Sequence, residues 1–329
     1  MYEQMKVLVT GATGFIGFEL SRRLAERGFS PRLMVRRPER GLLLRNLEAE
    51  LVYGDLNSPR SLERAVEGMD TVIHLGARAT FEESRLLRPT IVEGSVALME
   101  AATAAGVSNF VYASSLFVYP GSPDPIDAST PTNPQLDYGR AKVEAEERLG
   151  EIAQRSGMRL AVIRLPHVYG ARDLFFSRIS RGPTLIPGRG RNLFAHLHVH
   201  DAARVLIGVA ESDLEGAWAV ADRRATTWPE FLEIVSEYSP RFRYVPLPAG
   251  LARAGTTALR PFQRISGKPT ITTPGSVVGW NLNLSVRPGL LWEELEMEPV
   301  YPTVDEGIPA VLDDCVAFRW LHPLDDRSS

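Results

Sequence analysis

The chain has 329 residues, 44% of them apolar and 23% charged, which suits one large or two closely joined domains around a full hydrophobic core. A formal net charge of -3 gives no electrostatic reason to expect nucleic acid or an anionic membrane as partner. A lone cysteine, Cys315, excludes an internal disulfide and a cysteine metal cluster.

The first residues enter a strand without a basic stretch, an apolar stretch and a small-residue cleavage site, so no secretory signal is expected. No run of about 18 apolar residues suggests a spanning helix. A cytoplasmic location is the expectation by default.

Residues 6–10 (KVLVT) read as a strand and 15–27 as a helix with Leu20, Leu24 and Ala25 on one side. Strands follow at 32–35, 50–53 and 71–75, with a short helix at 61–67 before the last of these. A long Ala-rich helix, 91–105, ends at Gly106, and a fifth strand covers 109–113. Residues 138–156 are helical, and 159–164 form a sixth strand. This alternation predicts parallel strands joined by right-handed helical crossovers, an α/β Rossmann-type doubly wound sheet. Strands that are apolar without strict alternation suit a sheet covered on both faces.

Beyond about residue 165 the rhythm loosens. Residues 181–191 (RGPTLIPGRGR) read as loop, 248–260 as helix, 267–279 as a Thr/Pro/Gly stretch and 325–329 as a frayed tail. The expectation is a dinucleotide-binding domain over 1–165 and a smaller substrate-binding lobe over 166–329, some of whose segments interleave with the sheet.

Thr10-Gly11-Ala12-Thr13-Gly14-Phe15-Ile16-Gly17 follows the first strand and opens a helix. Gly11 permits the tight turn, Gly14 removes a side chain where a pyrophosphate approaches, and Gly17 lets helix and strand pack closely. Backbone amides and the positive helix end then face the phosphates. An acid closing the second strand would bind the adenosine ribose and favour NAD, whereas a cation accommodates a 2′-phosphate. Here the strand ends Val35-Arg36-Arg37-Pro38, and a guanidinium grips phosphate through paired hydrogen bonds. NADP is therefore expected, with NAD as the other possibility; both arginines decorating a solvated turn is the competing reading.

Tyr138 and Lys142 stand one helical turn apart on one face. A phenol with a reference pKa of about 10 is a poor base at neutral pH, and a neighbouring ammonium lowers it into use. Ser115 falls at the end of the fifth strand, where open α/β sheets hold ligands, and its hydroxyl can polarise a carbonyl or alcohol.

With these motifs in place the chain resembles the extended short-chain dehydrogenase/reductase family, of the NAD-dependent epimerase/dehydratase type, over nearly its whole length. The resemblance rests on the Gly11/Gly14/Gly17 triplet, Gly54-Asp55-Leu56, His74-Leu75-Gly76-Ala77, Ser114-Ser115 ahead of Val118-Tyr119, the Tyr138/Lys142 pair, and residues 164–170 (RLPHVYG). It implies Asp55 and Leu56 against the adenine and Leu75, Gly76 and Ala77 along the dinucleotide. It also implies Thr13, Phe15 and Ile16 beside the glycines at the pyrophosphate, Ser115 as the catalytic hydroxyl, and a homodimer through helices 91–105 and 138–156. Two positions depart from the family pattern: Ile91 replaces an Asn, and His167 replaces the Asn usual in members acting on sugar nucleotides. The later half is most similar to the 3β-hydroxysteroid dehydrogenase and dihydroflavonol reductase branch, through residues 166–173, 188–192, 216–222 and 228–231.

Three features carry a plainer reading. His196, His198 and His200 alternate along an expected strand, so the rings would share one face, but no partner carboxylate or thiolate has ligand spacing and no metal is expected. Glu144, Glu146 and Glu147 read as a solvated helix face. Leu174, Phe175 and Phe176 with Leu185 and Ile186 either line an apolar pocket or pack the second lobe.

The expected function is NADP(H)-dependent interconversion of a carbonyl and an alcohol on a small, moderately apolar molecule, with Tyr138 as acid or base. A nucleotide-sugar epimerase or dehydratase using the same Ser115, Tyr138 and Lys142 with internally recycled cofactor is the alternative. A cofactor-sensing scaffold is the third reading; loss of Tyr138 or Lys142 would favour it, and both are present.

Overall fold

A computed structural model describes residues 5–176, 183–239, 242–266, 270 and 272–317. Six strands run in chain order: β1 (Val7–Thr10), β2 (Arg32–Val35), β3 (Glu50–Tyr53), β4 (Thr71–His74), β5 (Asn109–Ser115) and β6 (Arg159–Leu165). With the edge strand Gly216–Ala219 they form one seven-stranded sheet, all neighbours parallel, in the spatial order Gly216–Ala219, β6, β5, β4, β1, β2, β3. The order reverses between β4 and β1, which opens a crevice at the carboxyl ends of those strands.

Both faces are apolar because successive strand residues point to opposite sides. Val7 and Val9 of β1, Ile73 of β4, Val111 and Ala113 of β5 and Ile163 of β6 join one core. Helices Phe15–Glu26 and Val199–Glu211 cover that side. Leu8, Val72, Phe110, Tyr112 and Val162 join the other core, under helices Pro59–Val66, Gly94–Ala104 and Asp137–Ser156. Burying each large side chain contributes about 1.5–3 kcal/mol, so the α/β Rossmann-like sheet is held from both sides.

A smaller lobe sits beyond the carboxyl ends. Helices Trp228–Tyr238 and Val304–Ala317 close around Tyr169, Phe176, Phe231, Ile308 and the buried Cys315. Residues 181–191, expected as loop, contain a strand, Thr184–Pro187, paired in parallel with Tyr244–Leu247. Its four-residue apolar run was masked by flanking Gly, Pro and Arg; pairing with a distant segment decides the conformation. Within 267–279, helix Pro274–Trp280 starts from a Thr273 cap whose hydroxyl accepts from the Ser276 amide. The long helix expected from residue 91 begins earlier, as a π-helical turn over Pro89–Glu93 that continues into Gly94–Ala104. The tail at 325–329 lies outside the described residues. No helix among the described residues is long and apolar enough to cross a membrane.

Candidate active site

The turn after β1 is built on glycine. Gly11 has φ +72°, and a Cβ on Gly17 would land 2.8 Å from the Gly11 carbonyl carbon and closer still to its oxygen. The Gly14 amide donates to the Gly11 carbonyl at 2.8 Å, folding the turn onto itself. Helix Phe15–Glu26 then starts with no side-chain cap and no acid in its first turn. Its first amides and positive end are thus left for an anion, which fits a dinucleotide pyrophosphate.

Beneath this turn Thr10 Oγ1 and His74 Nδ1 are 2.5 Å apart, His74 Nε2 and Ser95 Oγ are 2.9 Å apart, and the Gly76 amide donates to Thr10 Oγ1 at 3.2 Å. Burial, and then the Lys142 charge, push His74 down to about 3, so the ring stays neutral. The π-helical turn carries Ser95 to this chain of contacts. Ile91, the departure from the family's Asn, is fully buried in the core.

A cleft of about 500 Å³ lies between the sheet's carboxyl edge and the smaller lobe. Phe15, Ile16, Leu75, Ala77, Ser115, Tyr138 and Lys142 all line it. The distant sequence positions of the trio therefore converge. Ser115 ends β5, and its hydroxyl accepts from the Phe117 amide at 3.3 Å. Tyr138 packs edge-on to Phe81 and Phe117, with ring centroids 6.1 and 6.3 Å away. A Cβ on Gly139 would collide with the Phe117 carbonyl, so glycine lets this helix approach the turn that follows Ser115.

The charges differ from the simple expectation that Lys142 lowers the phenol. Lys142 Nζ donates to the Ala113 carbonyl at 2.6 Å and lies 4.5 Å from the Tyr112 ring centroid. Burial pulls Lys142 down to about 7 and pushes Tyr138 up to about 12. Desolvation disfavours the charged form of each group and outweighs the other influences in this arrangement.

The remaining sequence-derived positions lie outside the cleft. Thr13 belongs to the glycine turn, and Gly76 sits between Leu75 and Ala77 against Thr10 and Leu56. Asp55 and Leu56 follow β3, where Asp55 Oδ1 accepts from the Asn57 amide at 2.9 Å and Leu56 is buried. Arg36 and Arg37 are exposed just after β2.

Sequence reasoning missed much of the wall, Thr80, Phe81, Phe117, Phe194 and Trp280, and quoted Trp228 only within a motif. These residues come from loops and the smaller lobe, and no local pattern marks them. Leu174 and Phe175 line the cleft, Phe176 and Ile186 pack the lobe core, and Leu185 is exposed. Asp173, quoted only within a motif, also lines the cleft; burial pushes its carboxyl up to about 7, against hydrogen bonds from backbone amides including that of Phe176.

Two plainer readings are corrected. Glu146 is not solvated: it pairs with Arg164 at 2.7 Å, with both side chains mostly buried, and accepts from Ser114. Glu144 pairs with Arg88, and of the three only Glu147 is exposed. The three histidines do not share a face, because the strand ends at His198 and His200 belongs to helix Val199–Glu211. His196 meets Thr226 Oγ1 at 2.9 Å and the cleft residue His167 at 3.0 Å, His198 packs on Tyr301, and His200 contacts Arg23. Among the described residues, no group of three or more His, Cys, Asp and Glu side chains is placed to hold a metal.

A glycine-turn crevice beside a Ser, Tyr and Lys cleft defines a nucleotide-dependent hydride-transfer class. The profile of the NAD dependent epimerase/dehydratase family matches residues 7–220, and the chain belongs to that family. It is 32% identical to ceramide reductase of Caulobacter vibrioides over 259 residues, 76% of each chain. It is 30% identical to a 3-beta-hydroxysteroid dehydrogenase of Mycolicibacterium neoaurum over 65% of this chain and 63% of that one. Among solved structures it is similar to MoeE5 in complex with UDP-glucuronic acid and NAD, with TM-score 0.78 and 25% identity, covering 96% of this chain and 100% of that one. A second MoeE5 complex, with UDP-glucose and NAD, gives 26% identity and TM-score 0.74 over 94% of this chain and 97% of that one.

These likenesses correct one expectation and leave another unconfirmed. The NADP assignment is overturned, since the similar solved structures are complexes with NAD. Arg36 and Arg37 stand exposed on the turn after β2. The finer resemblance to the steroid and flavonol branch is not carried by the whole-length likenesses, which lie on the nucleotide-sugar side of the family.

Proposed function

We propose that the chain interconverts a carbonyl and an alcohol on a moderately apolar small molecule, with NAD held on the glycine turn. The observation that carries this reading is the aromatic and aliphatic lining of the cleft around Ser115, Tyr138 and Lys142, including Phe81, Phe117, Trp228, Phe231 and Trp280. Gly11, Thr13, Gly14, Phe15, Ile16 and Gly17 would hold the pyrophosphate, Asp55 and Leu56 the adenosine end, and Leu75, Gly76 and Ala77 the middle of the dinucleotide. When bound, the nicotinamide supplies or takes the hydride at the substrate carbon.

In reduction Tyr138 donates its proton to the carbonyl oxygen while Ser115 hydrogen-bonds that oxygen; in oxidation Tyr138 takes the proton back. A phenol lying high, near 12, is ready as the acid across the neutral range. Lys142 offers positive charge to the developing phenolate and a donor to the ribose. Relatives named ceramide reductase and 3-beta-hydroxysteroid dehydrogenase support an apolar substrate. We also propose a homodimer through the adjacent helices Gly94–Ala104 and Asp137–Ser156.

A second reading, epimerisation or dehydration of a nucleotide sugar with internally recycled cofactor, is favoured by the solved complexes with UDP sugars, and these back it better than they back the first. His167, wedged against Trp228 and Phe231, speaks for the first. One experiment separates them: purified protein is assayed for bound nicotinamide nucleotide, then offered long-chain ketones, steroids and UDP sugars with added NAD or NADH. Net change in nicotinamide absorbance with the apolar compounds supports the first reading. Conversion of a UDP sugar without net cofactor change overturns it.

A further inference from the structure

Two neighbouring strands carry a chain of hydrogen bonds into the cleft wall. Strand His167–Tyr169 pairs in parallel with His196–His198, and the register puts His167 beside His196. Their Nδ1 atoms are 3.0 Å apart, and His196 Nε2 is 2.9 Å from Thr226 Oγ1. Burial pushes His167 down to about 4, and burial above all holds His196 well below the usual histidine range. Both rings are therefore neutral at neutral pH, and each has a single ring proton to place.

Counting protons fixes the direction of the chain. The contact between the rings needs one Nδ1–H and one bare Nδ1. With His167 as donor, His196 would carry its proton on Nε2 and donate to Thr226. The hydroxyl of Thr226, a fully buried residue, has no second partner among the described residues, so its own proton would go unused. Leaving a buried donor unpaired is costly. In the opposite direction Thr226 donates to His196 Nε2, His196 Nδ1 donates to His167 Nδ1, and each of these groups is used. His167 then holds its proton on Nε2. That nitrogen has no partner among the described residues and is not sealed into the core, and His167 lines the cleft. The N–H thus faces the space that a substrate would fill.

The same wall holds a second idle donor. Trp228 is 6% exposed and lines the cleft, and its indole N–H has no acceptor among the described residues. Its ring lies 5.1 Å from that of His167, centroid to centroid, with Phe231 packed on both. Among the described residues lining the cleft, Lys142 of the trio is the one cation, and the Asp173 carboxyl also stands there. An anion on this aromatic wall would be desolvated without a counter-charge, whereas an uncharged oxygen would not.

We propose that the substrate carries, besides its reacting carbonyl or alcohol, a second uncharged oxygen that accepts from His167 Nε2. His196 and Thr226 are positioning residues that hold His167 in the donor form. This rests on the carbonyl–alcohol reading for the reacting group and narrows the substrate class to bifunctional apolar molecules, such as diketones and keto-amides. A ligand with one oxygen leaves the N–H unpaired, and a site built around a donor selects against it.

Two measurements test this. In the full chain labelled with nitrogen-15 histidine, ring shifts at neutral pH should show His167 as the Nε2–H form and His196 as the Nδ1–H form, with no ligand added. The reverse pair of forms overturns the proposal. Tryptophan fluorescence then follows the binding of matched ketones in the presence of NAD, which has no hydride to give them. Androstane-3,17-dione should bind about ten-fold more tightly than androstan-3-one, and a long-chain diketone more tightly than its monoketone. His167→Phe should reduce that preference to about two-fold or less. His167→Gln keeps an N–H at similar reach and should retain most of the preference, which a merely structural role would not predict. Circular dichroism and NADH binding should match wild type in both variants. Equal binding within each pair by wild type, or full preference in His167→Phe, overturns the proposal and leaves the carbonyl–alcohol reading standing. Failure of every ketone to bind overturns both.

Discussion

The Lys142 ammonium donates at 2.6 Å to the carbonyl of Ala113, two residues before Ser115, and so ties the helix bearing Tyr138 to the end of β5. The contact is deeply buried, and Lys142 is drawn down to about 7.

This gives a pH-dependent stability with a defined sign. Below about 7 both folded and unfolded chains hold the Lys142 proton, and the folded state bears the full cost of burying it. Between about 7 and the reference value of about 10.4 the unfolded chain binds more protons, so this group makes stability climb with pH. Lys142→Met lacks that slope. Urea midpoints should show wild type gaining on the variant as pH rises through this window; parallel curves would refute it.

Tyr138→Phe keeps the ring edges against Phe81 and Phe117 and removes only the hydroxyl. Turnover should fall by about 10²–10⁴ while NADH binding, followed by fluorescence, is nearly unchanged.

Gly17→Ala forces a methyl group into the Gly11 carbonyl. Overpacking of this kind costs about 1–3 kcal/mol, and it displaces the turn that would hold the pyrophosphate. A lower thermal midpoint should accompany a larger loss of NADH affinity than Tyr138→Phe produces.

Two glutamates two residues apart should differ sharply. Glu146→Ala leaves the largely buried Arg164 without its carboxylate, a loss of about 3–5 kcal/mol by analogy with broken buried pairs. Glu144→Ala breaks a half-exposed pair with Arg88 and should cost less than about 1 kcal/mol. Denaturant unfolding of the two variants makes the comparison.

Arg36→Ala and Arg37→Ala, at exposed positions, should each change stability by less than about 0.5 kcal/mol. Titration of wild type should show NADH bound more tightly than NADPH; the reverse order would restore a role for these guanidinium groups.

Much of the framework was legible because it depends on short-range pattern. Val7 to Thr10 form a strand, Gly11, Gly14 and Gly17 turn it into a helix, and Tyr138 and Lys142 share a helical face; each follows from sterics and periodicity over a few residues. The strand at Thr184–Pro187 was missed because its partner, Tyr244–Leu247, lies some sixty positions on. Glu146 was read as solvated because nothing near it in sequence announces Arg164, which reaches it from β6.

The sequence by itself determined the parallel α/β sheet and the glycine turn, and it singled out Ser115, Tyr138 and Lys142, which line one cleft, since local propensity and side-chain period act along the chain. Tertiary structure alone decided the aromatic wall of the cleft and the burial that shifts Tyr138 and Lys142 in opposite directions. Desolvation and packing are properties of surfaces brought together from distant segments, and no window of neighbouring residues contains them.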